Sequence, residues 1–342
     1  MEAGRVARGS AAGRRRLDAS LERARAGSRG RLGSGFVRVS NVALAPDDRI
    51  LRFPAGFRWG TATSSYQVEG GNTQCDWYAW EQTPGHIRDG SRCGRASDWW
   101  ERAESDLALA AEWGQNTHRL SLEWSRLEPR EGAWDEAAVT RYRAILSFMR
   151  ARGLAPMVTL HHFTLPLWLA QQGGWRNPRT VDWFARFADR AADALGDLCD
   201  LWCTINEPMA QIIMGHVFRL WPPGAGGLRA MAAELRHLSR AHALAYERLH
   251  ARRPAAQVGY AKHIRVFDPA DPRHRLERWI ALWADRAFNE LGLRAFAVGE
   301  PSSLLTLGGP APEPTCLDFI GLNYYARERI QSRSPAGPVA TD

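Results

Sequence analysis

The sequence predicts an α/β fold in which the strands of a parallel sheet alternate along the chain with helices. From Phe53 onward, apolar runs of five to seven residues alternate with longer segments of helical periodicity. Gly or Pro stands at most junctions between them, as at Gly114, Gly153, Gly196 and Pro254. A length of 342 residues suits either two domains or one large α/β barrel.

Six of the apolar runs are predicted to be strands. They lack strict alternation of polar and apolar residues, which fits strands buried on both faces. Because a helical segment separates each run from the next, we expect parallel pairing through right-handed connections. The predicted strands are Phe57–Thr63, Thr117–Leu122, Ala155–His161, Leu201–Asn206, Gln257–Ala261 and Asp318–Asn323.

Five amphipathic segments between these runs are predicted to be helices. Each presents apolar residues at the three- and four-residue spacing that forms one face of a helix. The predicted helices are Trp99–Trp113, Asp135–Arg152, Thr180–Leu195, Gly227–Arg252 and Leu276–Leu291.

The two ends of the chain depart from this pattern. Residues 1–45 are rich in Arg, Gly, Ser and Ala, and residues 1–40 hold ten Arg against three acids, a net charge of +7 out of +8. This composition predicts disorder. The segment could be a targeting peptide, an arm for anionic surfaces, or translated upstream sequence. We expect the barrel domain to span 46–326 and residues 327–342 to form a disordered tail.

The composition of the remaining chain argues against several classes of function. Beyond residue 40 the net charge is near zero, which argues against nucleic acid as the partner. No run of about 18 apolar residues predicts a membrane span. Five cysteines without disulfide or zinc spacing suggest reduced thiols in a cytoplasmic protein. No phosphate loop or dinucleotide fingerprint is present, and no cofactor is implied.

Polar side chains gather at the predicted carboxyl ends of four strands. In a parallel barrel these ends build the active site, and core packing alone does not explain four such clusters. The clusters are His118 with Arg119, His161 with His162, Asn206 with Glu207, and Asn323 with Tyr324 and Tyr325.

The strongest single signal is Thr204–Pro208, in which Glu207 ends an apolar strand and Pro208 stops it. A carboxyl that is partly removed from water has a raised pKa, which suits a general acid. We therefore expect a raised pKa for Glu207. Taken alone, the Asn-Glu-Pro tripeptide is a weak signal, and a simple turn from strand to helix explains it better.

Five motifs stand in order along the chain: Phe53–Gly70, His118–Arg126, Leu160–Leu169, Thr204–Pro208 and Asp318–Tyr325. Together they resemble glycoside hydrolase family 1, the β-glucosidase and β-galactosidase family. The resemblance implies a (β/α)8 barrel of the TIM type, of which about six of the eight β/α units are present. It also implies a small-molecule β-glycoside as substrate and hydrolysis of its glycosidic bond.

The resemblance assigns roles to four residues around the reacting bond. Glu207 matches the general acid/base, and Asn206 matches the residue that hydrogen-bonds the sugar 2-hydroxyl. Arg119 matches the arginine that keeps the catalytic nucleophile ionised and aligned. Tyr325 matches the tyrosine that hydrogen-bonds that nucleophile.

Three further matches concern the sugar itself. Gln67 and His162 match hydrogen-bonding residues of the subsite for the non-reducing sugar. Phe163 stands where many members have Trp, a change that keeps an aromatic wall. The implied substrates are β-glucosides, β-galactosides or related pyranosides, cleaved from the non-reducing end.

Aromatic and histidine residues near these motifs allow more than one interpretation. Most of the 15 tryptophans are expected to pack in the core, and Trp124, Trp168 and Trp221 are the candidates for stacking on a sugar. Adjacent His161 and His162 suggest a metal pair, but successive strand residues point to opposite faces. We therefore expect no metal site.

One element of the family's chemistry has no counterpart in the sequence. A retaining glycosidase needs two carboxyls about 5–5.5 Å apart. The family nucleophile lies in a Thr-Glu-Asn-Gly-like motif near strand seven, and Glu-Asn-Gly does not occur here. We expect an incomplete barrel with open edges at its first and sixth strands, which a homo-oligomer could cover. A weakened β-glycosidase, a sugar-binding relic and a fragment of a longer glycosidase all stay open.

Overall fold

The computed structural model describes residues 52–298, 316–332 and 339–341, and those from Gly56 onward belong to one compact unit. The predicted N-terminal extension, residues 1–45, lies outside the described residues. Within the described residues, no helix combines the length and the apolar character that crossing a bilayer requires.

The central element is a seven-stranded sheet in which neighbouring strands follow one another in chain order. The first six strands are parallel and form a curled half-barrel, and the last is antiparallel to its neighbour. The strands are β1 (Gly60–Ala62), β2 (Thr117–Ser121), β3 (Ala155–His161), β4 (Leu201–Asn206), β5 (Gln257–Pro269), β6 (Phe319–Ile330) and β7 (Val339–Thr341).

Helices connect the parallel strands, as the right-handed crossover of a β/α unit requires. Wider π-helical turns follow three of them, at Ile213–Val217, Arg286–Glu290 and Arg294–Val298. The α-helices are α1 (Ser65–Val68), α2 (Asp76–Glu81), α3 (Trp99–Glu112), α4 (Trp124–Leu127), α5 (Glu136–Ala151), α6 (Leu167–Gln171), α7 (Thr180–Leu195), α8 (Pro208–Ile212), α9 (Leu228–Arg252), α10 (Arg275–Asp285) and α11 (Leu291–Leu293).

The predicted α/β fold with a parallel sheet is confirmed. Strands β3 and β4 and helix α7 have the predicted boundaries. Helices α3, α5 and α9 agree with the prediction to within one residue at each end. These elements combine a strong local pattern with Gly, Pro or a helix cap at their ends, so the sequence marks their limits.

Two strands are longer than predicted. β5 continues past Ala261 and β6 past Asn323, and the extensions pair with each other in parallel. The prediction that residues 327–330 leave the sheet is therefore wrong, and β7 also lies in the segment predicted to be disordered. Charged residues interrupt the apolar pattern here, but Arg265 Nη1 lies 3.1 Å from Glu328 Oε1 across the two strands.

The last predicted helix is divided. α10 ends at Asp285, and the chain continues in the π-helical turn Arg286–Glu290. This turn brings Phe288 against β5, where the Lys262 Nζ donates to the Phe288 carbonyl oxygen over 3.0 Å. The division of the helix thus closes one side of the region beyond the carboxyl end of β4.

The core lies between the sheet and the helices that pack on it. Helix α7 buries an apolar face that includes Phe184 and Phe187. Trp124 of α4 stacks on Phe187 with ring centroids 4.7 Å apart, and it packs against Phe184 as well. Close packing of these rings joins the connection after β2 to the connection after β3.

The ends of the sheet carry exposed residues. Among the described residues β1 lies at one end of the sheet, pairs with β2 alone, and has all three of its residues exposed. At the other end Leu322 and Tyr324 of β6 are exposed. Pairing of Glu328–Ile330 with β7 covers part of this edge, which the sequence did not predict.

Gly259 allows β5 and β6 to approach closely. A Cβ atom there would lie 2.1 Å from the Phe319 carbonyl oxygen, whereas one at Gly321 would lie 3.5 Å from its nearest neighbour. We expect Gly259→Ala to lower the free energy of unfolding by about 1–3 kcal/mol, the usual cost of overpacking. The matched Gly321→Ala should change it by about 0.5 kcal/mol or less in the same urea titration. Equal losses in the two variants would contradict this explanation.

Candidate active site

Glu207 lies directly after β4 with its backbone in the left-handed region, at φ 46° and ψ 57°. A residue other than Gly adopts this conformation rarely, and its surroundings must hold it there. The Glu207 N–H donates to the Ala261 carbonyl oxygen over 2.8 Å, and Pro208 begins α8. The Glu207 side chain does not cap that helix. Its carboxylate is instead held by residues of the next two strands.

Three side chains from β5 and β6 contact the Glu207 carboxylate. The Asn323 Nδ2 donates to Oε1 over 2.6 Å, and the His263 Nδ1 lies 3.3 Å from Oε2. The Tyr325 hydroxyl also favours the charged carboxylate and contributes to lowering the pKa of Glu207. Glu207 itself is buried. Both carboxylate oxygens are therefore fixed by groups that strands far apart in the sequence deliver.

These contacts determine the charge state of Glu207. Burial favours the neutral carboxyl and by itself raises the pKa of Glu207. The hydrogen bonds from His263 and Asn323, the charge of His263 and the hydrogen bond from Tyr325 together lower that pKa below its ordinary value. The expectation of a raised pKa is therefore wrong. The sequence indicated the burial of Glu207, but it did not show the three donors around it.

Asn206, the last residue of β4, is oriented by two donors. Its Oδ1 accepts from the Arg119 Nη2 over 2.7 Å and from the Asn323 Nδ2 over 3.2 Å. The Arg119 Nε also donates to the Thr159 Oγ1 over 2.8 Å, so one guanidinium joins β2, β3 and β4. With the oxygen engaged in this way, the NH2 group is the donor that the Asn206 amide has left for other partners.

A cavity of about 360 Å³ gathers the other predicted site residues. Its size and mixed polar and aromatic lining suit a small ligand. The Phe163 and Trp221 rings have centroids 4.9 Å apart, and Trp77 meets Trp221 edge to face at 5.5 Å. The lining includes Gln67, His162, Phe163 and Trp221, with Tyr66, Trp77, Glu81 and Thr164 among its other residues.

Two polar groups of this cavity can hydrogen-bond a sugar. The Gln67 Oε1 accepts from the Ser64 Oγ over 2.6 Å, which turns the Gln67 amide nitrogen toward other partners. Burial, the charge of Arg119 and that of His161 lower the pKa of His162 well below its ordinary value. His162 is therefore neutral at physiological pH and can donate from one ring nitrogen while accepting at the other.

The predicted site residues thus fall into two groups. Arg119, Asn206, Glu207 and Tyr325 form the first, and Gln67, His162 and Phe163 line the cavity. Glu207 is not part of the cavity lining. The charge of Arg119 acts on both groups, because it lowers the pKa of His162 and opposes the rise in the pKa of Tyr325.

Of the three tryptophans considered for sugar stacking, Trp221 alone lies on the cavity. Trp124 is 1% exposed and belongs to the core. Trp168 packs edge to face against Trp124 and Trp183, and its Nε1 donates to the Glu128 carbonyl oxygen over 2.9 Å. The suggestion that Trp124 and Trp168 stack on sugar is therefore wrong, because both rings are occupied by packing against protein.

The side chains of the adjacent residues His161 and His162 have different surroundings. His162 lines the cavity, while His161 is buried with its Nε2 2.8 Å from the Gln211 Oε1 and Trp175 beside it. In the parts of the chain that the structure describes, no three His, Cys, Asp or Glu side chains are grouped as ligands of a metal ion.

Sequence reasoning missed two residues that contact Glu207. Asn323 stood in a polar cluster at the end of the sixth predicted strand, but no role was assigned to it. His263 lies two residues beyond the predicted end of β5 at Ala261. The two positions share a face of the strand, since side chains alternate. If the predicted strand had been extended by two residues, this alternation would have placed His263 at the same rim.

Comparison with known proteins places this site in a family. The model for "Glycosyl hydrolase family 1" matches residues 50–291. The chain belongs to glycosyl hydrolase family 1. It is similar to the β-glucosidase of Agrobacterium sp. (31% identity, covering 85% of this chain and 67% of the relative). It is also similar to β-glucosidase A of Thermotoga maritima (29% identity, covering 82% and 67%).

Solved structures of family 1 enzymes share the fold. A β-glycosidase from Pyrococcus horikoshii matches with a TM-score of 0.75 and 35% identity, over 85% of this chain and 67% of that one. A β-glucosidase from Thermotoga maritima in complex with castanospermine matches with a TM-score of 0.76 and 27% identity, over 86% and 70%. The family 1 chain therefore has the fold of a partial TIM barrel and belongs to the class of glycoside hydrolases.

Proposed function

We propose that this family 1 chain is a β-glycosidase for which Glu207 is the general acid/base. The observation that carries the proposal is the anchoring of a buried carboxylate by Asn323, His263 and Tyr325, next to an oriented Asn206. Relatives of this chain include β-glucosidases and a β-galactosidase of Pyrococcus woesei. Small β-glucosides and β-galactosides are accordingly the proposed substrates.

The proposed chemistry uses Glu207 twice. It first gives its proton to the glycosidic oxygen as the bond from that oxygen to the anomeric carbon breaks. It then takes a proton from the water molecule whose oxygen bonds to the anomeric carbon. Asn206 supplies an N–H for the sugar 2-hydroxyl, a contact that strengthens in the transition state. Because the pKa of Glu207 is lowered, its acid form is most populated at acidic pH.

The other site residues bind and orient. Gln67 and His162 are proposed to hydrogen-bond the non-reducing sugar, with Phe163 as an aromatic wall for its C–H face. Arg119 fixes the Asn206 amide, and Tyr325 holds the Glu207 carboxylate. The family resemblance also assigns Arg119 and Tyr325 to the nucleophile.

The direct test is hydrolysis by the purified 342-residue chain. We expect release of p-nitrophenol from p-nitrophenyl β-glucoside or β-galactoside and none from the α-glucoside, which serves as the matched control substrate. A folded, monodisperse sample that cleaves neither β-glycoside would overturn the proposal. Cleavage of the α-glucoside at a similar rate would also overturn it.

A second candidate is a protein that binds sugars without cleaving them. In the described part of the chain, the polar groups that contact Glu207 are His263, Asn323 and Tyr325, and none is a second carboxylate. Calorimetric titration with castanospermine and with glucose tests this candidate. Binding without turnover of either β-glycoside would support it, and absence of heat at millimolar ligand would exclude it.

A further inference from the structure

His263 has a polar environment that core packing does not explain. Its ring is buried, and it meets Phe288 and Tyr325 edge to face, with both centroid distances 5.1 Å. Its Nδ1 lies 3.3 Å from the Glu207 Oε2. Among the described residues, neither ring nitrogen of His263 makes a hydrogen bond, and the contact of Nδ1 with Glu207 has the distance of an ion pair. A buried imidazole that makes no hydrogen bond and has a nitrogen 3.3 Å from a carboxylate calls for a functional explanation.

The register of the sheet fixes this contact. His263 of β5 pairs with Asn323 of β6, and Asn323 donates to the Glu207 Oε1 over 2.6 Å. His263 and Asn323 therefore stand opposite each other on neighbouring strands, and each lies next to a different oxygen of the Glu207 carboxylate. The left-handed backbone of Glu207 brings the carboxylate to them.

Other charged and titratable groups around the pair are engaged elsewhere or uncharged. The Lys262 Nζ of β5 donates to the Phe288 carbonyl oxygen over 3.0 Å, and burial lowers its pKa to about 8. Arg119 of β2 hydrogen-bonds Asn206. Burial and the charge of Glu207 raise the pKa of Tyr325 on β6. The π-helical turn presents Phe288, which carries no charge.

We propose that His263 is a positioning residue for Glu207 and that the two side chains share one exchangeable proton. At rest the proton is on the His263 Nδ1, and the imidazolium holds the carboxylate at the barrel mouth. Histidine suits this task because it gains and loses its proton in the physiological range of pH. The sharing of a proton between His263 and Glu207 does not rest on the proposed β-glycosidase function. The use of that proton in catalysis does rest on it.

During the reaction the proton moves from His263 to Glu207 and then to the glycosidic oxygen of the substrate. The Nδ1–H bond of His263 breaks as an O–H bond forms at the Glu207 Oε2. The Glu207 carboxyl passes its proton to the glycosidic oxygen, which keeps the electron pair of the broken C–O bond. His263 is left neutral, and the water that completes hydrolysis returns a proton to the pair. His263 thereby supplies Glu207 with a proton at pH values above the pKa of Glu207.

The test is a carbon-13 NMR titration of the Glu207 side-chain carboxyl in the full chain, assigned with Glu207→Gln. We expect the pKa of Glu207 to rise by about one unit or more in His263→Asn, the scale of losing an adjacent opposite charge. Asn keeps a polar group near the Oε2 but cannot carry the proton. The matched control is His250→Asn, which removes a histidine 3.0 Å from Asp318 and leaves Glu207 untouched.

An unchanged pKa of Glu207 in His263→Asn would overturn the proposal, and so would an equal rise in His250→Asn. A second measurement needs no variant. Long-range proton–nitrogen spectra of the wild-type chain should show a hydrogen on the His263 Nδ1 at about pH 6, and an Nδ1 without hydrogen from pH 5 to 7 would overturn the proposal. Neither readout uses a substrate, so a failure of the β-glycosidase proposal is distinguishable from a failure of this one.

Discussion

Replacement of Glu207 by Gln is expected to lower kcat/KM for p-nitrophenyl β-glucoside by about 10²–10⁴-fold, the contribution of a positioned general acid/base. Gln has the shape of Glu and can keep a hydrogen bond with Asn323, but it can neither deliver a proton nor take one from water. The fall should appear in kcat as well as in kcat/KM, because the lost interaction belongs to the transition state.

The control for this prediction is Glu112→Gln. Glu112 is exposed at the end of α3 and takes no part in the site, so the same chemical change should leave the rate within about twofold, in line with the small effects of surface substitutions. A folded Glu207→Gln protein that hydrolyses β-glycosides as fast as the Glu112→Gln protein would contradict the role of Glu207 as general acid/base. Another group would then have to supply the proton.

Local patterns predicted much of the fold. The apolar runs that became β3 and β4, and the amphipathic stripe of α7, are each bounded by residues that stop the element. The extensions of β5 and β6 were missed because their stability comes from cross-strand partners. Arg265 and Glu328 resemble loop residues in the sequence, and they become strand residues only when each strand supplies the other's partner.

For the candidate site, too, local patterns predicted only the part that does not depend on residues far away in the sequence. Asn206 and Glu207 could be placed at the rim because Asn206 ends an apolar run and Glu207 follows it. The direction of the pKa shift of Glu207 could not be predicted, because it depends on donors more than 50 residues away, His263 and Asn323. Burial alone would have raised that pKa, and the donors reverse its sign.

Trp124→Ala is expected to lower the free energy of unfolding by about 3–5 kcal/mol, the usual cost of truncating a buried Trp. The indole is 1% exposed, and it stacks on Phe187 at a centroid distance of 4.7 Å. Its Nε1 donates to the Glu128 Oε2 over 2.8 Å, so truncation also removes a hydrogen bond from a buried carboxylate.

Trp113→Ala is the matched control, because that indole is 74% exposed at the end of α3. Its removal should change the free energy of unfolding by about 0.5 kcal/mol or less in the same urea titration. A loss in Trp124→Ala no greater than in Trp113→Ala would return Trp124 to the candidates for sugar contact. A large loss would mean that the ring belongs to the core and that its packing on Phe184 and Phe187 joins α4 to α7.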